Sequence, residues 1–243
     1  MGGNVIAFNT LGGVLVGTST STRNRIRGNA IFGNPALGSE LAANALAPDG
    51  VTLNDAGDVD TGPNGRQNFP VLAIAESSGD RLALRGALNS NPDTATDLDF
   101  YASATCDPSG HGEGERYLGS ASVTTDANGD AAFDVTLNPP AVPGHVITAT
   151  ATSTELGNTS EFSACLAVTP GRPSLAGALE PATGDFILNW ETSDAAWTAE
   201  EIPKLEDLTG WKPAAGILSV TGAQHTVRIA SPTGARFFRL RKP

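Results

Sequence analysis

Charge is scarce in this chain of 243 residues: Asp, Glu, Lys and Arg together make up 17%, well under the usual share in soluble domains. What charge there is has mostly one sign. Lys and Arg number 15 against 26 Asp and Glu, leaving −11 at pH 7, a field that repels phosphate and gives no general basis for binding nucleic acid. The one basic cluster, Arg236, Arg239, Arg241 and Lys242, sits at the extreme end and is too short to reverse this. Long apolar runs are also lacking: no window approaches the roughly 18 to 20 residues of a membrane helix, so membrane insertion is not expected. Met1-Gly2-Gly3-Asn4 has neither the cationic nor the apolar region of an export signal. Gly-x-Ser-x-Gly, phosphate-loop and dinucleotide motifs are absent, which removes the activities those motifs carry. With two cysteines the chain cannot staple a small knot, but it can close one bridge. Cys106 and Cys165 lie in the same stretch of predicted strands, so a disulfide fits an exported protein, and two buried free thiols are the alternative.

What is abundant points to strands and turns. Gly (28) and Pro (16) are plentiful, Thr, Ser and Ala are crowded between them, and 40% apolar residues suffice for small packed cores. The expected fold class is all-β with little helix. Residues 1–53 carry an internal repeat: Gly3-Asn4-Val5-Ile6-Ala7-Phe8-Asn9 realigns with Gly28-Asn29-Ala30-Ile31-Phe32-Gly33-Asn34 after a shift of 25. Coils of 20 to 30 residues with short strands and Asn at the corners are the signature of a parallel β-helix, in which stacked Asn side chains hydrogen-bond along the axis. Two coils bury too little to stand alone, so the segment reads as a β-helix stub.

Residues 54–68 form a polar, acidic junction. From 69 to 168 the pattern is strand, turn, strand, with Asp126-Ala127-Asn128-Gly129-Asp130 as a strong hairpin signal. Seven predicted strands, the last over Phe162–Val168, with turns every 8 to 12 residues, match an immunoglobulin-like sandwich. Residues 169–173 read as a linker. Residues 174–243 predict a small C-terminal β module with strands at Phe186–Trp190, Leu218–Val220, His225–Ile229 and Arg236–Leu240, all three tryptophans, and one capped helical turn over Thr198–Ile202 that Pro203 stops.

The strings Asn24-Arg25-Ile26-Arg27-Gly28-Asn29, Asn54-Asp55-Ala56-Gly57-Asp58-Val59-Asp60-Thr61-Gly62-Pro63-Asn64, Gln67-Asn68-Phe69-Pro70-Val71, Cys106-Asp107-Pro108-Ser109-Gly110 and Gly157-Asn158-Thr159-Ser160-Glu161-Phe162-Ser163-Ala164-Cys165 resemble the C-terminal region of bacterial surface proteins with right-handed parallel β-helix repeats. The resemblance covers residues 1–168 and implies a β-helix end, an Ig-like domain, and an extracellular or cell-surface location. The tail from Gly234 to Pro243 is similar to terminal β modules of exported bacterial proteins. Relative to that pattern the β-helix is reduced to a stub with no signal peptide before it, so a fragment or truncated reading frame is expected.

The strongest chemical constellation is Asn54, Asp55, Asp58, Asp60 and Asn64, oxygen ligands broken by Gly57 and Gly62 so that the backbone can fold around a point. That is what Ca²⁺ requires, and carboxylates this close repel without a cation; the plain alternative is a solvated acidic turn. Asp126, Asn128 and Asp130 have the same alternation but are explained by their hairpin rather than by a metal, and Glu161 beside Asn158 is either a third site or a strand-end charge. His111-Gly112-Glu113-Gly114-Glu115 is the most enzyme-like string, on a glycine-rich loop expected to be exposed. The functional expectation is a non-catalytic, calcium-binding module for display, anchoring or adhesion, with carbohydrate or another cell-surface protein as partner. The alternative is a calcium-dependent hydrolase of an ester, lactone or glycoside bond, with no catalytic residue assigned.

Overall fold

Short runs of β-branched and aliphatic residues between glycines and asparagines can gain backbone hydrogen bonds only by pairing with distant runs, and the fold is built from such pairings. The computed structural model describes residues 3–42, 50–78, 81–138, 140–192, 196–206 and 209–242. Among these it is all-β, with one 3₁₀ turn at Pro63–Arg66. The chain divides into two compact units, Met1–Thr169 and Pro170–Pro243.

The first unit begins with two parallel strand pairs. β1 (Val5–Ala7) lies beside β3 (Ala30–Phe32), and β2 (Val14–Leu15) beside β4 (Ser39–Glu40), with every partner 25 residues away: Ile6 opposite Ile31, Val14 opposite Ser39. Asparagines continue the same offset. Asn29 Oδ1 accepts from the backbone and side-chain N–H groups of Asn4 at 3.0 and 3.2 Å, and Asn34 Oδ1 from those of Asn9 at 3.2 and 2.9 Å.

Next come β5 (Val71–Ser78), β6 (Arg81–Asn89), β7 (Ala95–Ser103), β8 (Arg116–Thr124), β9 (Asp130–Leu137), β10 (Val146–Ser153), β11 (Leu166–Ala167) and β12 (Thr169–Pro170). They form two antiparallel sheets, β11-β10-β7-β8 and β12-β5-β6-β9, an Ig-like β-sandwich. Leu82, Leu84, Leu98, Phe100, Phe133 and Ile147 fill the space between them. The Asn128-Gly129 turn joins β8 to β9 as expected. Gly129 has φ +84, and a Cβ there would lie 2.2 Å from the Ser90 carbonyl, so only glycine fits. Asp126 Oδ1 accepts from Asn128 N and Asp130 N at 2.8 and 3.0 Å, the bonds of a closed turn.

The expected seventh strand, Phe162–Val168, is regular only at Leu166–Ala167. Before it, the Ser160 and Ser163 amides donate to the Ala151 and Ala149 carbonyls, whose own residues' amides donate back to the serine hydroxyls in place of a backbone ladder, and Phe162 turns away to join Ile31 and Tyr101 in a separate core. β7 and β10 are buried on both faces. Leu98 and Phe100 point into the sandwich; Asp97, Asp99 and Tyr101 point to the segment that holds Arg27, Gly28 and Ile31. There Arg27 forks onto Asp99 (Nε–Oδ2 2.6 Å, Nη2–Oδ1 2.9 Å) and also reaches Asp97. The Tyr101 hydroxyl accepts from Gly28 N at 3.0 Å.

In the second unit β13 (Ala176–Leu179), β14 (Phe186–Glu191), β17 (Ile217–Thr221) and β18 (Gln224–Ile229) form one sheet in the order β13-β14-β18-β17, and β15 (Thr198–Ile202), β16 (Lys212–Pro213) and β19 (Phe237–Arg241) another in the order β16-β15-β19. Leu188, Trp190, Val227, Ile229 and Leu240 pack in its core. The helical turn expected over Thr198–Ile202 is instead β15. Its glutamates are satisfied across strands: Glu200 pairs with Arg239 at 2.7 Å and Arg241 at 3.3 Å, and Glu201 with Arg236 at 3.0 Å. The three arginines of the basic cluster are thus engaged in local ion pairs. No described helix is long and apolar enough to cross a membrane.

Candidate metal centre

The acidic junction lies against the sandwich, and polar residues on both sides shape it. Asn89 Oδ1 accepts from Gly57 N at 2.7 Å, and Asn91 Nδ2 donates to the Asp58 carbonyl at 2.8 Å. Asp58 has φ +55, a left-handed conformation that Asp tolerates better than most residues, and this turns its side chain inward. The structure brings Asp55, Asp58 and Asp60 together, one carboxylate oxygen of each lying within 4.8 Å of the others.

The three carboxylates do different work. Asp58 is buried and accepts from Gln67 Nε2 at 2.6 Å, Ser90 Oγ at 2.7 Å and Asn68 N at 3.0 Å. Burial pushes its pKa up to about 6, against the lowering effect of the Ser90 and Asn68 bonds, with Asp55 and Asp60 adding repulsion. Asp60 is also raised, by burial and then by Asp55, while Arg66 pulls it down. Asp55 Oδ1 and Asp60 Oδ1 are buried and accept no hydrogen bond. Burying anionic oxygens without donors is costly.

The two asparagines serve the frame. Asn54 closes a pair of bonds with Phe69, donating to its carbonyl at 2.8 Å and accepting from its N–H at 2.9 Å. Asn64 is fully buried; its Oδ1 accepts from Asn24 N and Nδ2 at 2.9 and 3.0 Å, and its Nδ2 donates to the carbonyls of Asn24 and Thr159. This is the geometry of the Asn4–Asn29 and Asn9–Asn34 pairs, at a longer offset. The sequence signal for it was the Asn24 corner beside the Asn29 corner. The supports of Asp58 were missed; Gln67-Asn68, polar and immediately before an apolar strand, were the available cue.

His111 is half-buried rather than exposed. Its ring packs edge-on against Phe69 with centroids 5.2 Å apart, and Nδ1 lies 3.4 Å from the Phe162 carbonyl. Glu113 is buried and takes up the column of asparagines: its Oε1 accepts from Asn34 N and Nδ2 at 3.2 and 2.8 Å, as Asn34 accepts from Asn9. Next to it, Ile31 and Gly114 exchange two backbone bonds of 2.8 Å. A Cβ on Gly114 would meet the Tyr101 and Phe162 rings at 2.8 Å, so glycine permits this close approach. Glu161 accepts from the Leu41 and Thr52 amides, both at 2.7 Å, and its pKa is raised by burial. Asn158 Oδ1 accepts from Arg23 N at 2.7 Å. Cys106 and Cys165 are bonded to each other, closing a loop over a separation of 59.

His111→Ala should lower stability by about 1 kcal/mol through loss of the ring contact, a fall of a few degrees in the thermal midpoint. A loss above about 3 kcal/mol would give the imidazole a larger role than this packing supports.

In metal-free protein, Asp58 should make stability fall with rising pH. Its folded pKa lies above the unfolded value, so its contribution is fully present below about pH 4 and lost as pH rises through about 6, on the order of 3 kcal/mol in all. Thermal melts in chelator between pH 5 and 7.5 should show the decline, and Asp58→Asn should flatten it.

No protein family profile and no curated protein sequence matches the chain. Among solved structures it is similar to the FN1–FN3 domains of chicken CNTN1, at 9% identity and a TM-score of 0.24, over 71% of this chain and 59% of that one. A segment of two fibronectin type III domains from chicken tenascin aligns at 12% identity and a TM-score of 0.25, over 72% of this chain and 99% of that one. The chain therefore spans 59% of the length of the CNTN1 fragment. At such scores the alignments carry no weight, and the sandwich assignment rests on the strand order.

Proposed function

We propose that this chain is a non-catalytic, calcium-binding β module of the cell exterior. In this reading the described part of residues 1–53 (3–42 and 50–53), with the Asn24–Asn64 rung, is the end of a right-handed parallel β-helix. The junction at 54–68 binds Ca²⁺, and the sandwich and terminal module serve display, anchoring or adhesion, toward carbohydrate or a neighbouring surface protein. The β-helix reading is supported by parallel pairing at a constant offset and by asparagines stacked in register. The exterior location is supported by the disulfide.

The observation that carries the calcium reading is the pair of buried, donor-less oxygens on Asp55 and Asp60, beside a third carboxylate within 4.8 Å. A hard cation satisfies such oxygens and cancels their repulsion. Ca²⁺ suits an irregular oxygen set better than Mg²⁺, which demands compact octahedral geometry and gives up water reluctantly. The aspartates would hold the ion, while Asn54 and Asn64 fix the backbone around it.

Differential scanning calorimetry tests this. Calcium at about a hundred times its Kd should add roughly 2.7 kcal/mol to stability, chelator should remove it, and magnesium should substitute poorly. Asp55→Asn with Asp60→Asn should abolish the response while leaving the Asp58 bonds to Gln67, Ser90 and Asn68 in place. Identical melts in calcium and in chelator would reduce the loop to a hydrogen-bonded turn.

A further inference from the structure

Strand β17 ends its sheet without any of the devices that keep sheet edges from pairing. All five of its residues, Ile217, Leu218, Ser219, Val220 and Thr221, are exposed, the three apolar ones at 75%, 56% and 53%. Exposed edges are ordinarily blunted by charge, proline, bulges or brevity. The other edges of these sheets are: β9 carries Asp130 and Asp134, β8 has Arg116 and a bulge where it pairs with β7, β12 and β16 contain Pro170 and Pro213, and β19 carries Arg239 and Arg241. β11 has two residues, and β13 has four including Gly177.

Cross-strand register shows which way the side chains point. Leu218 lies opposite Val227 and Val220 opposite His225, both buried, so this pair faces the core side of the sheet yet remains uncovered. The facing sheet has three strands against four.

We infer that the free edge of β17 pairs antiparallel with β17 of a second copy of this chain, joining two four-stranded sheets into one of eight. Two features select a second copy. The strand is self-complementary when reversed about Ser219: Leu218 of one copy falls opposite Val220 of the other, giving two apolar cross-strand pairs on one face, and Ile217 falls opposite Thr221. From Pro213 to Gln224 no side chain is ionisable, so two chains of charge −11 can meet here without opposing like charges. A two-fold pairing of this kind also closes at two copies and leaves neither edge free, whereas a non-closing contact would propagate.

Sedimentation velocity of the full chain across a micromolar concentration series tests this. The expected result is the mass of two chains, dissociating on dilution. Val220→Lys should give a single-chain mass throughout with its far-UV circular dichroism spectrum unchanged, because the position is exposed, and its melting midpoint should no longer depend on protein concentration. Ser219→Cys should form an intermolecular disulfide on mild oxidation, since the two-fold axis brings the two Ser219 positions together. A wild-type chain that stays single at every concentration, a dimer that Val220→Lys leaves intact, or a Ser219→Cys dimer that does not cross-link would each overturn the inference.

Discussion

Arg27→Ala is expected to lower the stability of the first unit by about 3–5 kcal/mol, the cost of breaking a buried ion pair from one side. Asp99 is 1% exposed and receives two of its hydrogen bonds from the Arg27 guanidinium. With Arg27 gone, the Tyr117 hydroxyl at 3.3 Å remains, and the Asp97 carboxylate nearby makes matters worse. Water reaches Arg27 and Asp97, 27% and 22% exposed, more readily than Asp99, so the penalty falls mainly on the Asp99 carboxylate. Arg27→Lys should recover only part of the stability, since an ammonium cannot reproduce the fork. Asp97→Asn should cost less, because Asp97 is 22% exposed. All three tryptophans, Trp190, Trp197 and Trp211, belong to the second unit, so far-UV circular dichroism in a urea series is the proper readout for the first. A variant within 1 kcal/mol of wild type would show that the N-terminal strand pairs are held to the sandwich by other contacts.

Opening the Cys106–Cys165 bridge should have an effect of similar size. A cross-link closing a loop over 59 residues restricts the unfolded chain by about 4 kcal/mol as an upper estimate. The bridge also ties down the segment that carries Glu113 and Gly114, which Gly112 N and Cys165 N pin further through bonds to the Ser163 and Gly110 carbonyls at 3.2 and 3.0 Å. Reduction should therefore lower the midpoint and also speed hydrogen exchange at the Ile31 and Asn34 amides, whose acceptors sit on that segment. Two free sulfhydryls in unfolded, unreduced protein, or a melt indifferent to reductant, would contradict this.

Much of the first unit was legible because its signals are local. The 25-residue shift that aligns Asn4 with Asn29 and Asn9 with Asn34 is the shift of the parallel strand pairing itself, which puts equivalent residues in contact. The Asn128-Gly129 turn was legible for the same reason: its conformation admits few residues. What was hidden depends on the second face of a strand. Thr148, Thr150 and Thr152 alternate with Ile147, Ala149 and Ala151, a pattern that ordinarily gives a strand one wet face, yet both faces are buried. The Thr148 hydroxyl donates to the Glu113 carbonyl at 2.8 Å, and Thr152 meets Thr159. Glu113, a loop carboxylate in sequence, stands where a further asparagine of the column would stand. In the acidic loop the three aspartates were legible from their spacing, whereas Asn54 and Asn64 were read as ligands because nothing local reveals that Phe69 and Asn24 engage their amides. The Thr198–Ile202 strand was missed because its partner, β19, is about 40 residues away and helix-cap residues open it.

The proposal that Asp55, Asp58 and Asp60 bind calcium is tested most directly by a crystal structure of the full chain grown with calcium, with anomalous scattering used to identify the ion. The expected result is one strong anomalous peak in the junction, about 2.3–2.6 Å from an oxygen of each aspartate, with the Oδ1 atoms of Asp55 and Asp60 turned onto it. Well-ordered aspartates with only water between them, and no anomalous signal at saturating calcium, would contradict it.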